Sequence, residues 1–401
     1  MIDIGDVEDA RDLLDDVEVV ADTPLRHSES LSREVGGDIY LKCENFQYTG
    51  AFKVRGAYNK IEDTDSSDPI IAASAGNHAQ GVALAASDAD RDVKIVMPRD
   101  ASISKVQATS GYGAEVVLHG ENYDEAYEKA LEIQSEEDRV FVHPFDDPFI
   151  QAGQGTIGLE IADELPEVDT VVVPIGGGGL ISGVATAIKD RVPDARVVGV
   201  QAEGASSVVE SLNEGEIYER DSVSTISDGI ATRKVSESTF ETIVESVDEV
   251  VTVSDDETAN AILKLLENEK IVAEGAGAVP LAAALYRRLG VEDENVVCVL
   301  SGGNIDSNVL SQVINRGLIN QGRYLKFETV LEDKPGALVE IASVISEEDA
   351  NIYAIHHHRM AKDVTLNAAE VEFELETRSR EHANRIVRKL ENRGYEIHVR
   401  T

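Results

Sequence analysis

The stretch Val173-Pro174-Ile175-Gly176-Gly177-Gly178-Gly179-Leu180 reads as a strand end, four consecutive glycines and the start of a helix. Glycines at a strand–helix junction let backbone N–H groups converge and leave room for an anion at the helix N-terminus. A dinucleotide fingerprint needs glycine or alanine at the sixth position, where this chain has Ile181. A Walker loop needs Gly-Lys-Ser/Thr, which is absent. A purely structural turn is the competing reading, but it needs fewer glycines than these. The stretch points to phosphate binding within a strand–helix alternation.

That alternation extends in both directions. Short apolar strands are predicted at 70–74, 93–97, 115–118, 140–142, 170–175, 196–202 and 295–300. Helices are predicted at 76–87, 103–110, 123–136, 156–165, 180–189, 255–266, 278–289 and 309–321. Uniformly apolar strands separated by helices imply parallel sheets covered on both faces, an α/β doubly wound class. Upstream, a helix over 6–21 ends at Asp22-Thr23-Pro24-Leu25, a strand covers 38–44, and a loop leads to a helix over 54–61. At Tyr324 the pattern changes. Strand 325–331, helix 336–346, strands 352–358 and 367–376, helix 380–392 and strand 395–400 give βαββαβ, the order of a ferredoxin-like module. The expected division is 1–322 and 323–401.

Composition narrows the class. The 401 residues carry 76 Asp+Glu against 36 Lys+Arg, a net charge of -40. Phosphate backbones would be repelled, so nucleic acid is excluded as a partner. The acidity runs along the whole chain, which suits a surface kept soluble in high salt. No apolar run approaches the ~20 residues that span a bilayer, so no membrane partner is expected. The start Met1-Ile2-Asp3-Ile4-Gly5-Asp6 lacks a basic-then-apolar signal segment. Cys43 and Cys298 form neither a disulfide framework nor a metal motif. These features together set a cytoplasmic expectation.

Three further stretches carry chemistry. Lys53 lies in Thr49-Gly50-Ala51-Phe52-Lys53-Val54-Arg55-Gly56-Ala57. It is either a solvated loop lysine or a desolvated amine able to form a Schiff base. Ala73-Ser74-Ala75-Gly76-Asn77-His78-Ala79-Gln80-Gly81 lies at another strand–helix junction. Its amides can receive a carboxylate, and Asn77 can donate or accept at a ligand oxygen. The alternative there is an N-capping Ser74 and a buried, satisfied His78, and for the His78 side chain that alternative is preferred. Val299-Leu300-Ser301-Gly302-Gly303-Asn304-Ile305 is a third strand end, where ligands collect in doubly wound sheets. Ser301 could be only a helix cap. One lysine, one phosphate cradle and two polar strand ends describe a site for a phosphorylated aldehyde.

On these residues the chain resembles the threonine ammonia-lyases (threonine dehydratases) of the fold-type II pyridoxal-phosphate enzymes. The resemblance runs along nearly the whole chain. It rests on 49–57 with Lys53, 74–81, 176–180, Val272-Ala273-Glu274-Gly275-Ala276-Gly277-Ala278, and 301–304. It implies pyridoxal 5'-phosphate as cofactor, with a small subdomain at about 52–148 and a large one made of 1–51 and 149–322. It implies that Lys53 holds the cofactor and that Phe52 lies against its ring. Asn77 hydrogen-bonds the phenolic oxygen, and Gly176, Gly177, Gly178, Gly179 and Leu180 hold the phosphate. Ser301 faces the pyridine nitrogen. Ser74, Ala75, Gly76, Asn77 and His78 receive the substrate carboxylate, and Glu274 lies near ring and substrate. The implied reaction is β-elimination of water from L-threonine, and from L-serine, to the oxo acid and ammonia.

Some positions depart from the family pattern. Ala51 stands where serine is usual, and Tyr48 where a small or basic residue is commoner. Ala75 replaces the serine by which related racemases reprotonate Cα, which argues for elimination. Relatives that bind a divalent metal use an acid at Glu203 and another six residues on, which here is Val209. The C-terminal module resembles an ACT domain through Asp333-Lys334-Pro335-Gly336-Ala337-Leu338 and Ala350-Asn351-Ile352. The resemblance implies pairing across subunits in a homo-oligomer, dimer or tetramer. It implies an amino-acid effector at Gly336, Ala337, Leu338, Asn351 and Ile352, and isoleucine inhibition if the role is biosynthetic. His356-His357-His358 is a poor metal set, since alternate strand residues face opposite ways. No metal is therefore assigned. The competing readings are serine racemase, threonine synthase or another fold-type II enzyme, and an amino-acid sensor on an inactive scaffold.

Overall fold

The computed structural model describes residues 1–358 and 367–400. The chain divides into two compact units, Met1–Asp306 and Ser307–Thr401. The helix over 307–320 groups with the second unit, upstream of the 322/323 division expected from the sequence.

In the first unit the strands are β1 (Leu25–His27), β2 (Asp38–Lys42), β3 (Ile70–Ala73), β4 (Val93–Met97), β5 (Glu115–Leu118), β6 (Val140–Phe141), β7 (Thr170–Pro174), β8 (Arg196–Ala202), β9 (Glu249–Val253) and β10 (Asn295–Val299). Its helices are α1 (Ile4–Leu14), α2 (Glu29–Val35), α3 (Lys53–Glu62), α4 (Asn77–Asp88), α5 (Ile103–Gly111), α6 (Tyr123–Glu137), α7 (Pro148–Glu164), α8 (Gly179–Arg191), α9 (Ser207–Glu214), α10 (Glu237–Ser246), α11 (Asp255–Lys264) and α12 (Gly275–Leu285). Two sheets result, in the orders β1-β2-β10-β7-β8-β9 and β5-β4-β3-β6. Every pairing in them is parallel except β1 with β2. Ile70–Ala73 and Thr170–Pro174 are buried along their whole length, as strands covered by helices on both faces must be.

Several elements differ from the sequence expectation. Helix α1 ends at Leu14 rather than continuing to 21. Helix α7 begins at Pro148, eight positions before the expected start at 156. Asp147 caps it through the N–H groups of Phe149 and Ile150, and Pro148 suits a first helical position. The glycines that hid its first turns allow close helix packing. A Cβ on Gly153 would stand 2.6 Å from Gly56 Cα on α3. One on Gly183 of α8 would stand 2.5 Å from Gly155 N. The helices α2, α9 and α10 and the edge strands β1 and β9 were not expected. No helix among the described residues is long and apolar enough to cross a membrane.

The second unit contains α13 (Ser307–Asn320), β11 (Tyr324–Glu332), α14 (Ala337–Glu347), β12 (Asn351–His358), β13 (Ala368–Glu376), α15 (Arg380–Asn392) and β14 (His398–Arg400). After α13 this is βαββαβ, with an antiparallel sheet in the order β12-β13-β11-β14. Alternate residues of β11 and β13 are buried, and Phe327 and Phe373 stack across the strands at 5.1 Å. That period-two burial is what one covered and one open face require.

Candidate active site

Lys53 is the first residue of α3 and so belongs to the helix rather than to the preceding loop. Its Nζ donates to Pro144 O at 2.6 Å and stands 5.1 Å from the Phe52 ring centre. Burial pushes the amine down to about 8, against the pull of Glu274. Burial disfavours the ammonium, so the site holds a lysine that is neutral within reach of physiological pH.

The next residue after Pro144 joins this lysine to the glycine turn. A Cβ on Gly177 would overlap the Phe145 ring, and one on Gly179 would lie 2.9 Å from Phe145 Cβ. Gly178 has φ of +93° and caps α8, a conformation side chains resist. A Cβ there would also meet Thr239 Cβ at 2.7 Å. Thr239 Oγ1 donates to Gly177 O at 2.9 Å and fixes the turn from behind. Among the described residues, the N–H groups of Gly176, Gly177 and Gly178 have no acceptor. With Leu180 in the first turn of α8, these donors form an anion cradle at a helix N-terminus.

The loop after β10 is laced to the residues before Lys53. Phe52 N donates to Ser301 O at 3.2 Å, Gly303 N to Gly50 O at 2.9 Å, and Glu274 N to Gly302 O at 3.0 Å. Ser301 is buried and is not part of a helix cap. Asn77, first residue of α4, donates from Nδ2 to Glu274 Oε1 at 2.6 Å. Burial pushes the Glu274 carboxyl up to about 7, and the Asn77 bond works against that rise. Lys53, Phe52, Asn77, Glu274 and the 301–304 loop therefore come together.

At 74–78 the alternative of an N-capping Ser74 does not hold, and the expectation of a satisfied His78 needs correction. Ser74 does not cap α4; the cap is Gly76, whose N–H donates to Ser74 Oγ at 3.1 Å. His78 is buried but only half satisfied. Burial first, and Lys53 second, push it down to about 3, so the ring is neutral and has a single N–H. That hydrogen goes from Nε2 to Val142 O at 2.9 Å, leaving Nδ1 unpartnered among the described residues.

Residues the sequence reading passed over support this centre. Arg55 is fully buried two positions after Lys53. It bonds Glu44 through Nε and Nη2, each at 2.9 Å, and Glu160 through Nη1 at 2.5 Å and Nη2 at 2.9 Å. Lys42 adds ion pairs to Glu160 at 2.8 Å and Glu164 at 2.9 Å. Burial opposes ionisation of Glu44, but Arg55 and Lys42 outweigh it and hold the carboxyl low. This buried network ties α3 to β2 and α7. A buried Arg is costly without such partners, and an arginine beside the lysine was the one available signal.

In the second unit, Gly336 takes φ of +95° and caps α14, with Ala337 and Leu338 in its first turn. Asn351 opens β12 beside Ile352 and donates to Glu376 Oε2 at 3.2 Å. His356, Glu372 and Glu374 cluster on the open sheet face. Lys326 Nζ already bridges those two carboxylates, at 3.0 and 3.2 Å.

Residues 18–302 match the family described as pyridoxal-phosphate dependent enzyme, and 322–393 match the ACT domain. A protein of Thermotoga maritima named L-threonine ammonia-lyase is 49% identical over 402 residues, covering 100% of both chains. The processed form of threonine deaminase isoform 2 from Solanum lycopersicum superposes with TM-score 0.74 at 38% identity, over 78% of this chain and 94% of that one. Maize serine racemase gives TM-score 0.74 at 34% identity, over 80% and 98%. With most of its first unit inside that family match and its cradle, lysine and strand-end loops in one place, the chain belongs to the pyridoxal-phosphate dependent enzymes and carries a C-terminal ACT domain.

Proposed function

We propose that this protein is an L-threonine ammonia-lyase, converting L-threonine to 2-oxobutanoate and ammonia, and L-serine to pyruvate and ammonia. The observation that carries the reading is the placement of the Lys53 amine, hydrogen-bonded to Pro144 O at 2.6 Å, next to the Phe145 ring that bounds the glycine cradle. Those residues fit pyridoxal phosphate: a neutral amine suits its aldehyde, and three unused N–H groups suit its phosphate. When bound, that cofactor supplies an electron-withdrawing ring conjugated to the substrate Cα.

The protein's own groups do the rest. Gly176, Gly177, Gly178, Gly179 and Leu180 would hold the phosphate, and Phe52 would lie against the ring. Asn77, with one Nδ2 hydrogen on Glu274, would have its second to offer the ring's phenolic oxygen. Ser301 would offer a hydroxyl to the pyridine nitrogen, too weak an acid to hold that nitrogen protonated, which favours loss of a β-substituent over full delocalisation of charge into the ring. The amides from Ser74, Ala75 and Gly76 to Asn77 and His78 hold the substrate carboxylate at the start of α4. Lys53 takes the Cα proton as general base. Glu274 shares a hydrogen bond with Asn77 at the substrate side. Ala75 has no acid–base group, so position 75 supplies no second base, which favours elimination over racemisation.

At the level of the whole protein, the ACT domain supports control by an amino acid bound at Gly336, Ala337, Leu338, Asn351 and Ile352 in a homo-oligomer. Isoleucine is the effector expected of a biosynthetic role. The acidic surface supports a cytoplasm of high salt. The test is release of oxo acid from L-threonine, L-serine and their D-isomers, with and without isoleucine. Lys53→Ala should lose visible cofactor absorbance and at least ~10³-fold in turnover. Turnover retained in that variant overturns the reading, and D-serine formation at a comparable rate would favour a racemase.

A further inference from the structure

Asn304 lies at the exposed mouth of the site, one position past the two glycines that follow Ser301. Its Nδ2 donates to Thr49 O at 2.6 Å and to Asn77 Oδ1 at 2.8 Å. An amide nitrogen has two hydrogens, and both are used. A main-chain carbonyl can only accept, so Thr49 O decides which end of the Asn304 amide faces inward. Asn304 then presents N–H to Asn77, which must answer with Oδ1. Asn77 is left with Nδ2 toward Glu274, at 2.6 Å.

Chemical direction therefore passes from one carbonyl through two amides to one carboxyl. Inverting Asn77 would set its carbonyl oxygen against Glu274 and leave no donor for a ligand oxygen. The backbone on either side is held as well. Gly303 N donates to Gly50 O at 2.9 Å, and Gly50, with φ of +70°, lies so close that a Cβ would overlap Asn304 Oδ1.

We propose that Asn304 is a positioning residue that fixes the amide orientation of Asn77, so that the free N–H of Asn77 faces the cofactor's ring oxygen. This deepens the reading of Asn77 given above and rests on it. Asn304 need touch neither cofactor nor substrate.

A double-mutant cycle tests the proposal on the full-length holoenzyme: wild type, Asn77→Ala, Asn304→Ala and the double variant. Three quantities are read: the pH midpoint of the bound cofactor's visible absorbance, kcat on L-threonine, and Tm. Loss of one orienting hydrogen bond should lower kcat by about 10-fold and move the pH midpoint in Asn304→Ala. Once Asn77 is alanine, removing Asn304 should change neither further, because the group it orients is gone. A merely structural role predicts an equal Tm loss and an equal kcat loss in both backgrounds, and that additive result overturns the proposal. So does Asn304→Ala with the wild-type absorbance profile and kcat. If Asn77→Ala itself leaves absorbance and turnover unchanged, the reading of Asn77 fails, and with it anything that acts through Asn77.

Discussion

Lys53 holds an amine where burial disfavours its charge, and its pH behaviour follows from that. Only the neutral amine attacks an aldehyde, so uptake of pyridoxal phosphate by the cofactor-free protein should speed up about 10-fold between pH 7 and 9, with a midpoint near 8. Stopped-flow absorbance checks this, and a rate independent of pH over that range would contradict it. The same shift has a sign for stability. The folded pKa lies below the usual lysine value of 10.5, so between about 8 and 10.5 the unfolded chain holds the extra proton. Stability therefore gains from this group as pH rises through that window, and below about 8 the group destabilises the fold. That Lys53 and the glycine turn come together was expected from their order along the chain, and Pro144 and Phe145 join them in the fold. Asn304 and Arg55 were not legible in that way. Asn304 meets Asn77 across 227 positions, and Arg55 meets Glu160 across 105. No local pattern marks such partners. His78 shows the converse: its burial was expected, yet the loss of one hydrogen-bond partner is visible only in three dimensions.

Among the elements, the turn between β7 and α8 is bounded on one side by Phe145 and on another by Thr239. Gly177→Ala would force a methyl into the Phe145 ring and tilt the cradle's N–H groups. Cofactor affinity should fall by at least ~10-fold, and Phe145→Ala in the same chain should restore part of it by removing the obstacle. Titration of the cofactor-free variants by fluorescence quenching measures both; a Gly177→Ala variant with unchanged affinity would contradict the close approach. Parallel strands were readable because total burial leaves uninterrupted apolar runs such as Thr170–Pro174. Strand β9 was not, since it lies at the sheet edge, only Val253 is fully buried, and its pattern is weak. The first turns of α7 carry glycines and glutamines, which resemble a loop in sequence. Here they are buried between two other helices, where small residues let backbones touch.

For the molecule as a whole, a net charge of -40 means that self-repulsion accompanies compactness. Salt shortens the range of that repulsion to about 3 Å at 1 M. The melting temperature should accordingly rise by at least ~5 °C between 0.1 and 2 M KCl, as calorimetry would record. Equal melting in both would remove the case for adaptation to salt. The order of the larger sheet has a different consequence. Strand β10 lies between β2 and β7 yet is the last of the six to be synthesised. Until Val299 has been made, the facing edges of β2 and β7 wait unpaired, and the 301–304 loop that fastens Phe52 and Asn77 does not exist. A ribosome making this chain from its N-terminus thus carries the lysine and the glycine turn for much of translation without a working centre. Competence arrives in one late closure, shortly before the second unit begins to emerge.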